Sequence, residues 1–360
     1  MRARLVWSRL AALAGAMSVC ALAVEGASGP AAVVAPPLLQ DTGLYADFSS
    51  LTIDPGRIAF APQYPLWTDG AAKRRWIAVP PGTAIDASDP DAWTFPVGTR
   101  FWKEFAFAGR RVETRYIEVL PGGRWLYAAY EWSDDGRTAA LAPAQGRRGA
   151  FPVGEGRAHA IPGVSDCRVC HEAGRTPVLG FSLLQLSPDR DPGALHVDPG
   201  KDDADLADLV AAGLVVGLPP ALLETPPRIA ARTRAERAAL GYMHGNCGHC
   251  HNADGPLRRL GLGLRHVTGA ATEPGRATTV GIAVVDPAPG QSPDAGLRIA
   301  PGDPARSALV ERIGSRWAAL QMPPLGTETV DGEAYDLIRE WIAGLDGEHA
   351  TSQEARERGR

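Results

Sequence analysis

A cysteine pair with two residues between its members, followed at once by histidine, occurs twice in this chain. The two copies are Cys167-Arg168-Val169-Cys170-His171 and Cys247-Gly248-His249-Cys250-His251. The remaining cysteine, Cys20, lies in an apolar run near the N-terminus. Zinc ribbons place their C-x-x-C pairs about 15–20 residues apart, whereas 76 residues separate Cys170 from Cys247. A thioredoxin-like dithiol needs no histidine directly after the pair. Four cysteines in an exported chain would ordinarily be read as two disulfides, which leaves the repeated histidine unexplained. C-x-x-C-H is the attachment signature for c-type haem. Its two thiols add to the two vinyl groups, and the adjacent histidine meets the iron as proximal ligand. Two covalent haems c are therefore expected, one on Cys167 and Cys170 and one on Cys247 and Cys250, with His171 and His251 as iron ligands.

The N-terminus points to export. Arg2, Arg4 and Arg9 precede an apolar run from Leu10 to Ala23 that ends in Ala21-Leu22-Ala23, an A-x-A cleavage site. The run falls short of the roughly 20 apolar residues of a spanning helix. An uncleaved anchor and a lipoprotein modified at Cys20 are the competing readings, and Met17-Ser18-Val19 fits a lipobox poorly. A periplasmic protein with no stable membrane span after cleavage is expected. The formal charge is −4, and losing the three signal arginines takes it to −7. That balance argues against a nucleic-acid partner and suits a basic redox partner.

Six of the nine tryptophans, Trp67, Trp76, Trp93, Trp102, Trp125 and Trp132, fall between Tyr45 and Phe151. There the runs RRWIAV, TRFWKEFAF, ETRYIEVL and WLYAAYEW alternate apolar with polar residues, separated by turn signals at 80–82, 107–110, 121–123 and 133–136. Period-two alternation with aromatic enrichment predicts antiparallel strands, with the tryptophans as core. Further on, helical spacing predicts helices over Asp203–Val216, Thr233–Asn246, Pro304–Ala319 and Asp331–Leu345, with Asp303 as an N-cap. The expected fold is α+β: an antiparallel β-sandwich or barrel followed by an all-helical domain. The expected divisions are a signal peptide (1–23), a flexible linker (24–44), a β-rich domain with the first attachment motif (45–200), a helical linker (201–227), a helical domain with the second motif (228–346) and a disordered tail (347–360).

The stretch ALGYMHGNCGHCHN from Ala239, QMPPLGT at 321–327 and IREWI at 338–342 resembles the C-terminal cytochrome c domain of bacterial dihaem c-type cytochromes. PLWTDGAAKRRWIAVPPG and FPVGTRFWKEF look like the β-rich N-terminal part of the same family. The resemblance implies a periplasmic electron carrier with no established substrate, and it implies Met322 as the distal ligand of the second haem. The residues agree: Met1 and Met17 leave with the signal, Met243 adjoins the motif, and Met322 sits in a Met-Pro-Pro turn. A soft thioether favours Fe(II). Pro256 and Pro177, downstream of the two histidines, are placed to accept from the second ring nitrogen of His251 and His171. For the first haem no methionine lies between His171 and Met243. His159 and His196 are the nearest free histidines, and an open iron is the remaining option. A sheet followed by C-x-x-C-H also resembles the cytochrome c′-beta proteins, whose haem keeps an open distal face.

No phosphate-binding loop, H-E-x-x-H or G-x-S-x-G motif is present. The sequence therefore favours a carrier that passes electrons between redox protein partners over an enzyme. The competing reading is a dihaem peroxidase-like or small-gas-binding cytochrome with an open first haem. An interaction module built on the β domain is a third.

Overall fold

The computed structural model describes residues 34–154 and 156–345. The expected signal peptide, the first part of the 24–44 linker and the expected tail lie outside the described residues. From Val34 on, the chain clusters as one compact unit. It is an α+β structure organised on one antiparallel sheet.

That sheet is a six-stranded meander in sequence order: β1 (Ile58–Ala59), β2 (Ala72–Ala78), β3 (Arg100–Phe107), β4 (Arg110–Leu120), β5 (Arg124–Trp132) and β6 (Ala139–Leu141). The four alternating runs are β2 to β5, and Ala108 and Gly109, both at positive φ, close the β3–β4 hairpin. Alternation sorts the side chains by face. Trp76, Trp102, Tyr116 and Ala128 form one rung, packed with Tyr130, Trp132, Leu39 and Leu44. Ile77, Phe101, Ile117 and Tyr127 form a rung of the opposite face, where Phe60, Trp93, Phe181, Leu206 and Leu209 complete a second core.

Among the described residues no second large sheet covers either face, so the expected sandwich or barrel is corrected to a single sheet between irregular layers. Sequence alternation shows that a strand is amphipathic or doubly buried, but not what covers it. Some of the covering segments come from regions expected to be linkers. Leu39 and Leu44 belong to one core and are fully buried. Within 201–227, Leu206, Leu209 and Val215 are buried in the other. The helix expected over Asp203–Val216 is only α2 (Leu206–Ala211), capped by Asp205. Gly213, at φ 68°, turns the chain so that Val215–Val216 pairs in parallel with Ile85–Asp86.

A hairpin, β7 (Arg147–Gly154) and β8 (Arg157–Ile161), leads into α1 (Val164–His171). Of the all-helical domain expected over 228–346, two of the predicted helices form where their caps place them, and 247–303 is mostly irregular. Thr233 caps α3 (Arg234–Asn246), and Asp331 caps α5 (Gly332–Ala343). The helix expected over Pro304–Ala319 splits into a 3-10 turn at Pro304–Arg306, capped by Asp303, and α4 (Ala308–Gly314). Extended Ser307 separates them, its hydroxyl accepting from Ala300 N at 2.9 Å and donating to Asp303 O at 2.9 Å. Leu240, Met243, Ile338, Trp341 and Ile342 share the core between α3 and α5.

Two glycines one turn apart dock α3 against the strand region. A Cβ at Gly241 would fall 2.0 Å from the Tyr64 ring, and one at Gly245 would fall 2.3 Å from Tyr64 O. Beside them Trp67 N donates to Asn246 Oδ1 at 2.7 Å, and Tyr64 OH donates to Asp191 at 3.0 Å. Among the described residues no helix is long and apolar enough to cross a membrane.

Candidate functional site

The first motif occupies α1, which packs on β5. Asp166 accepts from Gly163 N at 2.9 Å and anchors the start of the helix. Cys167 and Cys170, three apart, share one face of a single turn. His171 closes the helix, its ring 5.4 Å from that of Tyr127. Its Nδ1 lies 2.6 Å from Pro177 O. A carbonyl oxygen only accepts, so Nδ1 carries the proton and Nε2 keeps its lone pair. Burial, followed by the cations Lys103 and Arg115, pushes the His171 pKa down to about 4. The imidazole is therefore neutral near pH 7, and the bond expected from Pro177 leaves Nε2 with its lone pair free.

The second motif forms where α3 unwinds. Cys247 N and Gly248 N both donate to Met243 O, at 2.9 and 3.0 Å, and His251 N donates to Cys247 O at 2.9 Å. Gly248 is required by close approach, since a Cβ there would meet His244 O at 2.7 Å and Arg265 Cα at 2.9 Å. His251 is 9% exposed, and burial, then Arg312, pushes its pKa down to about 4. The expected bond to Pro256 is not formed, and Nδ1 of His251 is buried without a partner among the described residues.

The structure brings the two motifs together. Asn252 Nδ2 lies within hydrogen-bonding distance of Ala173 O (3.1 Å), Gly248 O (3.1 Å) and His249 O (3.0 Å), so one amide bridges the residues after both histidines. Its Oδ1 accepts from Asp254 N at 2.9 Å and Gly255 N at 2.7 Å. The ligating atoms of Cys170, His249 and Cys250 lie within 4.8 Å of one another. Contact between the thiols raises the pKa of Cys170 and lowers that of Cys250. Cys167, Cys170, Cys247 and Cys250 are all free thiols. No signal in the sequence announced this juxtaposition.

Met322 is half-buried in the loop after α4, where its N donates to Arg312 O at 2.9 Å. Arg312 is one of the cations, with Arg298, whose charge acts on His251, which puts the Met322 loop on the second motif's side of the fold. Arg316 holds the loop, donating from Nε to Thr329 O at 2.7 Å and from Nη1 to Met322 O at 3.4 Å.

The histidines considered for the first iron have other partners. His159 is 1% exposed, with Nε2 2.9 Å from Glu113 and Nδ1 3.5 Å from Asp69. Burial opposes its charged form, but the bonds to the two carboxylates prevail and raise its pKa. An imidazolium between two carboxylates has no lone pair for a metal. His196 Nε2 lies 2.9 Å from Asp331.

A group of cations near the first motif went unrecognised in the sequence. Arg75, Lys103 and Arg115 are direct neighbours across β2, β3 and β4, with Lys73 two residues along β2. Burial pushes Lys73 down to about 7, Arg75 to about 10 and Lys103 well below its ordinary value. The available signal was alternation: in TRFWKEFAF, Lys103 falls on the same face as Phe101 and Phe105.

The donor set suits c-type haem: paired thiols, each followed by a neutral imidazole, half-buried at His171 and buried at His251, with one nitrogen left for iron. The orphaned Nδ1 of His251 is the one discordant atom. No protein family, curated protein or solved structure matches this chain.

Proposed function

We propose that this chain is an exported, periplasmic dihaem c-type cytochrome that passes electrons between redox protein partners. The observation that carries the proposal is the meeting of the two motifs, with Cys170 and Cys250 among ligating atoms within 4.8 Å of one another. The thiols of Cys167, Cys170, Cys247 and Cys250 would hold the haems, with His171, His251 and Met322 as ligands and residues 228–346 as a cytochrome c domain. The haems supply one-electron chemistry at iron. The chain's own part is to hold each imidazole neutral, fix His171 through Pro177, and keep the two attachment points side by side.

A second reading, a peroxidase-like or small-gas-binding cytochrome, is favoured by His159, whose two ring nitrogens both face carboxylates and would leave it no lone pair for the first iron. Acid–acetone extraction followed by haem assay tests the main proposal. Two haems per mature chain should stay with the polypeptide. Haem that extracts freely, or zinc held by Cys170, Cys250 and His249 in its place, overturns it. Rapid binding of carbon monoxide by one reduced haem selects the second reading.

A further inference from the structure

The cations beneath the first motif break a rule of sheet construction. Arg75 faces Lys103, and Lys103 faces Arg115, on one rung and one side of the sheet. Like charges directly opposite one another destabilise a strand pair, and buried charges need partners; here Arg75 is buried, while Lys73, Lys103 and Arg115 are half-buried. The nearby carboxylates are already engaged. Glu113 accepts from Arg115 Nε at 2.6 Å and Nη2 at 3.1 Å, and its Oε2 also lies 2.9 Å from His159. Asp69 accepts from Glu328 N at 2.7 Å and Thr329 N at 3.0 Å, besides facing His159. Lys73 donates to Ala71 O at 3.0 Å. Lys103 lies over the Phe105 ring at 5.0 Å and has no carboxylate partner within ion-pair distance among the described residues. Arg75 is 8% exposed, with neither a side-chain hydrogen bond nor an ion pair among the described residues, and only Asp203 acts on it from a distance.

The surplus sits beside the first motif. The next rung on the same face ends in Tyr127, whose ring lies against His171. Arg115 is close enough to act on Cys167 and Cys170, and Lys103 and Arg115 act on His171. Arg75 and Lys103, without ion-pair partners among the described residues, leave a place for an anion next to this attachment point, and an anion there would favour the charged form that burial opposes on Lys103. A small oxyanion has that chemistry, but a haem bound through Cys167 and Cys170 brings two carboxylates of its own, fixed in place by its covalent bonds.

We propose that Arg75, Lys103 and Arg115, with Lys73 beside them, form an anion seat for the propionate carboxylates of the haem attached at Cys167 and Cys170, an inference that rests on the haem reading above. Arginine and lysine form strong charge-assisted bonds to carboxylates, and arginine can do so bidentately. The seat would give Arg75 and Lys103, which have no ion-pair partner among the described residues, a counter-ion in the loaded protein.

The test is potentiometry on the full, haem-loaded chain, with attached haem counted first. Lys103→Met and Arg75→Met, singly and together, remove positive charge that disfavours Fe(III), so the first haem should titrate at a lower potential while the second stays put. Arg75→Lys, the conservative variant, should restore most of the wild-type value. Each potential is also measured with inorganic phosphate added. Equal shifts of both haems, no shift, or a Lys variant displaced as far as the Met variant would overturn the propionate seat. So would a wild-type first haem that responds to phosphate, which would assign the cations to a free oxyanion. A wild type without covalent haem fails at the counting step and refutes the haem reading itself, whereas two attached haems with indifferent variants refute only the seat.

Discussion

At the scale of single residues, Met322 and His159 are the two side chains whose roles separate most cleanly. If Met322 ligates the second haem as proposed, Met322→Ala removes the soft ligand that favours Fe(II), so that haem should lose its low-spin His/Met spectrum and fall in potential. Axial ligands tune haems over about 0.8 V, and an unchanged redox titration would reduce Met322 to packing. His159 is a stability residue. Its pKa in the folded protein is raised, so its contribution is fully present below the unfolded value near 6.5 and is lost as pH rises through the folded value. Replacing it by Ala leaves Glu113 and Asp69 facing a gap, a loss of about 3 kcal/mol for a broken buried pair. The deficit in urea unfolding should be larger at pH 6 than at pH 9; a deficit that grows with pH would reverse the assignment. His159 was a reasonable ligand candidate by position in the sequence. Its ion pairs come from Asp69 and Glu113, on other segments of the chain, and no local pattern announces them.

At the scale of elements, legibility followed how local each signal was. Strands β2 to β5 were readable because alternation and turn residues act within a few positions. Helices α3 and α5 were readable because Thr233 and Asp331 cap them directly. Signals failed where a distant partner decided the outcome. Val215–Val216 left its helix to pair with Ile85–Asp86, and Ser307 broke a helix through bonds to Ala300 and Asp303. Helix α3 gives a test that reverses the usual expectation. Glycine inside a helix normally destabilises by about 1 kcal/mol relative to alanine, so Gly241→Ala and Gly245→Ala should help. Both instead place a methyl group into Tyr64. Overpacking of this kind destabilises by about 1–3 kcal/mol, and Gly245→Ala should be the worse because it meets backbone rather than a ring that can shift. Melting temperatures of the two variants, compared with wild type, decide the matter; a gain in either removes the close docking of α3.

At the scale of the whole molecule, the joint between the motifs is the feature a linear reading could not supply, because 76 residues lie between Cys170 and Cys247. Asn252 is the side chain that makes the joint. Its amide serves carbonyls on both sides, Ala173 after the first motif and Gly248 and His249 within the second, while its carbonyl oxygen caps Asp254 and Gly255. Asn252 is 3% exposed, so water cannot readily replace those bonds. Asn252→Ala would leave several backbone groups short of partners, at about 1–3 kcal/mol for each group left wholly unsatisfied, and the variant should melt well below wild type. Lost stability alone would not distinguish a joint from any other buried amide, but redox titration does. Met322→Ala acts at one iron and should move the second haem alone. Asn252→Ala loosens the chain beside both histidines at once, so both potentials should shift and both haem spectra should broaden. A variant that is destabilised while only the second haem responds would show that Ala173 is held by other contacts, and that the two motifs lie next to each other without being coupled through this residue.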